Sequence, residues 1–210
     1  LMALTFPRDM TGLARWKEPS FSLMYRQELA RDAGGPTQAK DMGPALWQAS
    51  FTSVPLRLAV ADAVMADFRS LRGAVRSFLL YPPTRARPAA AGDLSGSTVT
   101  VHSVRSDASA IRLTGLPSRF VMTAGDYVSI ATAAGGIEFL QLARGGEASI
   151  GGLSPELEVV PFVRPAVDAG DAVTLVQPVA EFILQPGTLD DPFVGLTHRQ
   201  ITFKAMQVVR

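Results

Sequence analysis

An alternation of apolar and polar side chains marks the first clear strand of the chain. Trp47, Ala49 and Phe51 alternate with polar residues, and a period of two places the large groups on one face of a strand. We therefore predict a half-buried strand over residues 47–53 and take residues 22–27 as its partner.

The pattern changes after this strand to that of a helix. Apolar residues recur at spacings of four, four and three, which form one stripe along a helix: Val60, Val64, Phe68 and Leu71. Gly73 follows at a position where a left-handed cap is common. These features predict a helix over residues 59–72, the only convincing helix in the chain.

The rest of the chain is predicted to form short strands on either side of one linker. Residues 76–81 predict a strand, and the breaker-rich residues 82–97 predict a linker or domain crossing. Beyond it, turn signals separate short apolar runs, as expected of a small barrel or sandwich. Strand-like patterns return over residues 179–185 and 200–208.

Together these elements predict a mainly β fold with one helix. We expect residues 1–81 and 178–210 to form one β-sandwich or barrel domain that includes the helix, with the C-terminal strand returning to the N-terminal half. Residues 82–177 are expected to form a small inserted all-β, barrel-like domain.

One short sequence occurs twice within the second half. Ala124-Gly125-Asp126 and Ala169-Gly170-Asp171 each precede an alternating stretch. Glycine supplies the open dihedral and aspartate bonds neighbouring amides, so the simpler interpretation is one turn chemistry used twice. The alternative is a duplicated β unit with both turns on one rim.

Composition narrows the class of protein. The chain has 210 residues, of which 47% are hydrophobic and 19% charged, which excludes a disordered tail. It has no cysteine, which excludes a disulfide scaffold and a thiolate metal site. No run approaches the ~18 apolar residues of a membrane helix, so we expect synthesis in the cytoplasm without membrane insertion.

Charge is unevenly distributed along the chain. Residues 1–90 carry 12 basic and 7 acidic side chains, a net charge of +5, whereas residues 91–210 carry 8 basic and 12 acidic side chains, a net charge of −4. The two halves could attract each other or a neighbouring copy.

No motif points firmly to catalysis, a metal or a cofactor, and we expect none of these. His102 and His198 lack the spacing of a metal pair. Asp190-Asp191-Pro192 is better explained as a turn than as a cation site. A glycosidase-like pair of carboxylates stays open, with nothing to single out two of four candidates: Glu138, Glu156, Glu158 and Glu181.

Basic residues are 17 Arg and only 3 Lys, and several arginines cluster near the predicted helix end. The guanidinium group favours carboxylates, phosphates and protein interfaces, whereas a nucleic-acid site would usually add a more basic surface and stacking aromatics. We therefore predict Arg69, Arg72 and Arg76 as a subunit interface.

The order of these segments resembles a known family. An aromatic strand at Trp47–Phe51 is followed by the helix end Phe68–Gly73 and by Phe78–Pro83. A second run includes Ala124–Ile130 and Glu158–Pro165. Over about residues 45–185 the chain is similar to distal tail proteins of long-tailed bacteriophages or of gene transfer particles, which are tail-tip or baseplate ring proteins.

The resemblance implies a structural protein of the virion, assembled in the host cytoplasm. It implies a homo-oligomeric, hexameric ring that joins the tail tube protein to hub or baseplate proteins and leaves a lumen through which DNA passes without specific binding. It also implies a tube-forming first domain and no catalysis.

Two alternatives remain at this stage. The chain could be a minor tail or hub protein with a carbohydrate-binding β module, in which Tyr127 and Phe139 contact a host glycan, although both rings are more simply explained as buried core. An enzyme that cuts peptidoglycan or capsule has less support, because it requires a carboxylate pair with a raised pKa in a cleft.

Overall fold

The chain is described by a computed structural model that covers residues 5–31, 34–35, 37–90 and 92–209. Its one α-helix within these residues, α1, spans Leu58–Ser70. The strands, in chain order, are β1 (Ser20–Met24), β2 (Gln27–Arg31), β3 (Thr37–Asp41), β4 (Leu46–Thr52), β5 (Leu56–Arg57), β6 (Phe78–Leu80), β7 (Thr100–Val104), β8 (Ala110–Thr114), β9 (Val121–Met122), β10 (Tyr127–Ala131), β11 (Ile137–Leu142), β12 (Gly146–Glu147), β13 (Leu157–Val160), β14 (Ala172–Thr174), β15 (Ala180–Leu184), β16 (Phe193–Val194), β17 (His198–Arg199) and β18 (Thr202–Gln207). The predicted mainly β fold with one helix is confirmed.

A five-stranded antiparallel sheet is built from the N-terminal part of the chain and the two long C-terminal strands. Its strand order is β1-β4-β18-β15-β6. The alternation that predicted β4 also predicts its burial, because Trp47, Ala49 and Phe51 are at most 2% exposed. Phe51 stacks on Phe203 of β18, with ring centroids 5.3 Å apart. This apolar face is the core of the sheet.

The helix packs on that apolar face, and the predicted stripe is correct at Val64, Phe68 and Leu71 but wrong at Val60. Ala61, Val64, Met65 and Phe68 are buried, whereas Val60 is 48% exposed. The spacing therefore identified the helix but assigned its first apolar residue to the wrong side.

The helix also ends two residues earlier than predicted. Leu71 caps it, and both Arg72 and Gly73 then adopt left-handed conformations, with φ of 54° and 67°. The chain therefore leaves the helix through two left-handed residues and not through a single glycine cap.

The second half contains a closed barrel of six strands, in the order β10-β11-β13-β8-β7-β14. Its interior is a separate apolar cluster that includes Val128, Ile130, Leu140 and Leu157, all without exposed surface. The barrel-like character predicted for this part of the chain is confirmed.

The chain enters the barrel from the sheet and returns to the sheet afterwards. Strands of the five-stranded sheet come from residues 20–80 and 180–207, and strands of the barrel come from residues 100–174. The last strand, β18, lies beside β4, with Phe203 opposite Phe51. The domain limits at residues 82 and 177 stay a prediction.

An aromatic contact holds the barrel against the sheet. The indole N–H of Trp47 donates a hydrogen bond of 2.9 Å to the carbonyl oxygen of Phe139 on β11. The rings of these two residues pack edge to face at 5.4 Å, and Phe21 of β1 contacts Phe139 at 6.1 Å. Such contacts add to the area burial that joins the two parts.

The two Ala-Gly-Asp turns have the same chemistry but do not share a rim. Asp126 and Asp171 each accept a hydrogen bond from the amide three residues earlier, at 2.8 and 2.9 Å. The turns precede β10 and β14, which run antiparallel, with Ala131 opposite Ala172. They therefore lie at opposite ends of the barrel, and the interpretation as a duplicated unit with one rim is wrong.

Among the described residues, no helix has the length and apolar content needed to span a membrane.

Candidate assembly surfaces

One long hairpin dominates the surface of the first half. β1 pairs with β4 from Ser20–Ser50 to Met24–Leu46, and β2 pairs with β3 from Gln27–Asp41 onward. The amide of Met42 donates a 2.7 Å hydrogen bond to the carbonyl of Arg26 between the two segments. The four strands therefore form one interrupted hairpin, whose base lies in the sheet and whose outer part, residues 25–42, we call the arm.

The arm is exposed to solvent along its described length. Every arm residue whose side chain is described is exposed, and Tyr25, Leu29 and Met42 are 57%, 69% and 52% exposed. Its five residue pairs correspond to about 17 Å of ribbon. The arm is anchored at one end only, where it continues into the paired strands β1 and β4.

The sheet has one open edge next to the arm. On the β6 side, the segment Arg8–Met10 covers Leu79, with backbone hydrogen bonds of 2.8 and 3.0 Å. On the β1 side, the described residues place no strand beyond Ser20–Met24. An unpaired edge of this kind is a template for pairing with another chain.

The face of the sheet opposite the core is polar at its centre. Ser22, Gln48, Ser50, Gln185 and Lys204 line a shallow depression of about 260 Å³ there. Lys204 is the one charged side chain of this set.

The three arginines predicted as a subunit interface have different surroundings. Arg69 and Arg72 are exposed at the helix end. Arg76 instead donates a 3.1 Å hydrogen bond to the carbonyl of Ser70, and its guanidinium lies 4.6 Å from the centroid of the Phe6 ring. Arg76 therefore caps the helix of its own chain, and an interface role for all three arginines stays a prediction.

The two aromatic residues considered as glycan contacts lie between the barrel and the sheet. Phe139 has no exposed surface and Tyr127 is half-buried. Their rings are stacked with centroids 5.2 Å apart, and both contact Trp47. For Phe139 the predicted glycan contact is wrong, because alternation puts its ring on the barrel's outer face, where the sheet covers it. For Tyr127 the glycan contact stays a prediction.

Of the carboxylates considered for hydrolysis, Glu138 has the most unusual environment. It is 3% exposed, and one oxygen accepts a 2.9 Å hydrogen bond from Nη1 of Arg164. Its other oxygen, together with Nε and Nη2 of Arg164, is buried without a hydrogen-bond partner. Burial raises the pKa of Glu138 to about 7, and the opposing effect of Arg164 is smaller.

The other three candidates lie in different surroundings from Glu138. Glu156 lies 3.5 Å from Arg105 and Glu158 lies 3.6 Å from Arg144, both at the surface. Glu181 is buried on β15 of the five-stranded sheet. Glu138 thus lies in a buried pair with Arg164 in the barrel.

The remaining candidates are ordinary turn and surface groups. Asp191 pairs with Arg199 at 2.9 Å, and its amide donates to the side chain of Asp190, as in the predicted turn. His198 lies 2.9 Å from the hydroxyl of Thr197. Within the described ranges, no three His, Asp or Glu side chains are placed to hold a metal ion.

Sequence reasoning missed the arm and an exposed tip at residues 193–197. Leu196 is 94% exposed, and Phe193 beside it is 60% exposed. Gly34-Gly35 marked the turn at the arm's end, but a strand without a buried face has no alternation to detect. The exposed tip could not be recognised from the sequence, because its phenylalanine and leucine are residue types that are usually buried in a core.

No model of a known protein family matches the chain, and none of the curated proteins matches it.

Proposed function

We propose that this chain is a structural subunit of a homo-oligomeric ring at the distal end of a phage tail. In this proposal six copies form the ring, which connects the tail tube protein to hub or baseplate proteins and surrounds the channel for DNA. The proposed role is assembly in the virion without catalysis.

The observation that carries the proposal is the interrupted hairpin Ser20–Thr52. Its base leaves the β1 edge unpaired in the described chain, and its arm extends about 17 Å with its described side chains exposed. Both features leave backbone groups that a second β segment could bond. A neighbouring copy would supply such a segment at every position of a closed ring.

The polar face of the sheet is the part of the molecule best suited to border a channel. A wall rich in lysine and arginine would bind DNA phosphates and retain the DNA. The central depression contains serine and glutamine side chains and the single cation Lys204. We propose that this face lines the lumen and lets DNA pass without specific binding.

Electron microscopy tests the proposal at two levels. Concentrated purified protein should form six-fold rings with an open channel, and antibody against this chain should label the distal end of the tail in intact particles. A tail whose distal ring consists of a different polypeptide would reject the proposed position, even if the purified protein forms rings.

A further inference from the structure

An apolar groove lies at the root of the arm. It has a volume of about 300 Å³ and runs between the arm, the start of β4 and the barrel segment 159–164. Tyr25 lines one side and Phe162 the other, and these two side chains are 57% and 68% exposed. Two large aromatic side chains thus border a concave surface that nothing in the described chain fills.

The exposed tip at residues 193–197 has the opposite shape. Leu196 projects from the turn between β16 and β17 and is 94% exposed. A leucine side chain left in water forgoes the free energy that its burial would release. A protruding leucine therefore gains most from a surface that surrounds it.

The tip is held firmly by its own chain. Nη1 of Arg199 contacts Asp191 at 2.9 Å and Asp62 of the helix at 3.2 Å. The same guanidinium lies 4.6 Å from the centroid of the Phe193 ring. Leu196 is thus presented on a preorganised hairpin, which lowers the entropic cost of binding.

The groove and the tip cannot meet within one molecule. The groove adjoins the residues just before β4 begins, including Ala45. The tip belongs to the small sheet β16-β17-β5, which follows the end of β4 at Thr52. Seven residues of strand separate the two ends by about 20 Å.

We infer that the tip of one copy inserts Leu196 into the groove of the next copy, between Tyr25 and Phe162. The inference rests on the proposed function, because it specifies how identical copies meet. A closed ring needs two different, complementary surfaces on each subunit, and this pair provides them. The groove also follows directly on the open β1 edge, so both contacts would belong to one continuous interface.

Cysteine pairing tests the contact directly, because the natural chain contains no cysteine. The variant carrying Leu196→Cys and Phe162→Cys should form disulfides between copies under mild oxidation, seen as a ladder from dimer to hexamer on a non-reducing gel. The matched control carries Leu196→Cys and Ile150→Cys, where Ile150 is 75% exposed on a barrel turn outside the groove. We expect at least ten-fold more linked product in the first variant.

A second measurement does not depend on disulfide geometry. Leu196→Ser should lower the ring fraction about ten-fold at a fixed protein concentration, whereas Val75→Ser, which changes another side chain that is 78% exposed, should leave it unchanged.

The outcomes separate this inference from the proposed function. If rings form while both cysteine variants link equally, or while Leu196→Ser assembles like the natural chain, the tip-to-groove contact is wrong and the ring stands. If no oligomer forms at any concentration, the ring fails and this contact fails with it.

Discussion

At single residues, two glycines with the same φ angle differ in how much space a side chain would have. They therefore distinguish backbone strain from steric crowding. Gly115 and Gly135 both have φ of +81°. A Cβ at Gly115 would lie 2.0 Å from the carbonyl oxygen of Thr98, whereas at Gly135 it would meet no atom within 4 Å. Gly115 therefore allows the close approach of two barrel segments, and Gly135 only needs a left-handed turn.

We predict different costs for alanine at these two positions. Gly135→Ala should lower the free energy of unfolding by about 1 kcal/mol, the cost of a left-handed alanine. Gly115→Ala should lower it by about 3 kcal/mol or more, because backbone must move as well. Urea unfolding measures both values, and equal losses would contradict the crowding at Thr98.

Glu138 gives a second residue-scale prediction, through pH. Its pKa is raised from 4.5 to about 7 by burial, so the folded state favours the protonated carboxyl. The resulting stabilisation is complete below pH 4.5 and is lost as the pH rises to about 7. Glu138→Gln cannot ionise and should therefore gain stability relative to the natural chain, by roughly 1–3 kcal/mol, between pH 4.5 and pH 8.

The control for this prediction is Glu158→Gln, which changes a carboxylate whose side chain is 45% exposed. The difference between this variant and the natural chain is the baseline against which the Glu138→Gln difference is compared at each pH. If the Glu138→Gln difference is flat relative to this baseline, or falls with pH, the attraction of Arg164 outweighs the burial of Glu138.

At the scale of secondary-structure elements, sequence periodicity worked where one face is buried. It predicted β4 and α1 to within two residues at each end, because large side chains recur on the core side of both. It failed at Val60, since a stripe starting at either Val60 or Ala61 fits the same spacing. Only packing on Phe203 decides which stripe is buried.

The arm is the element whose removal is most informative. We predict that deleting residues 28–40 and joining Gln27 to Asp41 through Asn-Gly changes the free energy of unfolding by less than about 1 kcal/mol, because the arm buries almost nothing in its own chain. Ring formation should be lost, because the arm's packing surface would be absent. Urea unfolding and mass photometry measure the two effects.

Leu29→Ser is the matched control for the deletion, since it keeps the ribbon and removes its most exposed large apolar side chain. It should weaken ring formation less than the deletion does. A deletion variant that still forms rings would show that the arm is dispensable for assembly.

At the scale of the whole molecule, the chain order of strands was easier to predict than their spatial contacts. Turn spacing indicated a barrel in the second half, and the return of the C-terminus indicated the position of β18. Contacts between the sheet and the barrel could not be predicted from the sequence. No local pattern places Phe139 beside Trp47, which is 92 residues away. For the same reason sequence left Tyr127 and Phe139 open as surface residues.

The proposed assembly draws on features of the residues, the elements and the whole molecule. An open β1 edge, an unpacked arm and an exposed leucine are each tolerable alone. Together, in one described chain with two well-packed cores, they mark surfaces that a second copy is expected to cover.

The central claim is that identical copies complete each other's β structure around a channel. A cryo-electron microscopy reconstruction of the assembled protein at side-chain resolution tests it most directly. We predict a closed six-fold ring in which a neighbouring copy covers the β1 edge and the arm. The sheet face that contains Gln48, Ser50 and Lys204 should point toward the lumen. A ring or other assembly in which every β1 edge and every arm faces solvent would contradict it.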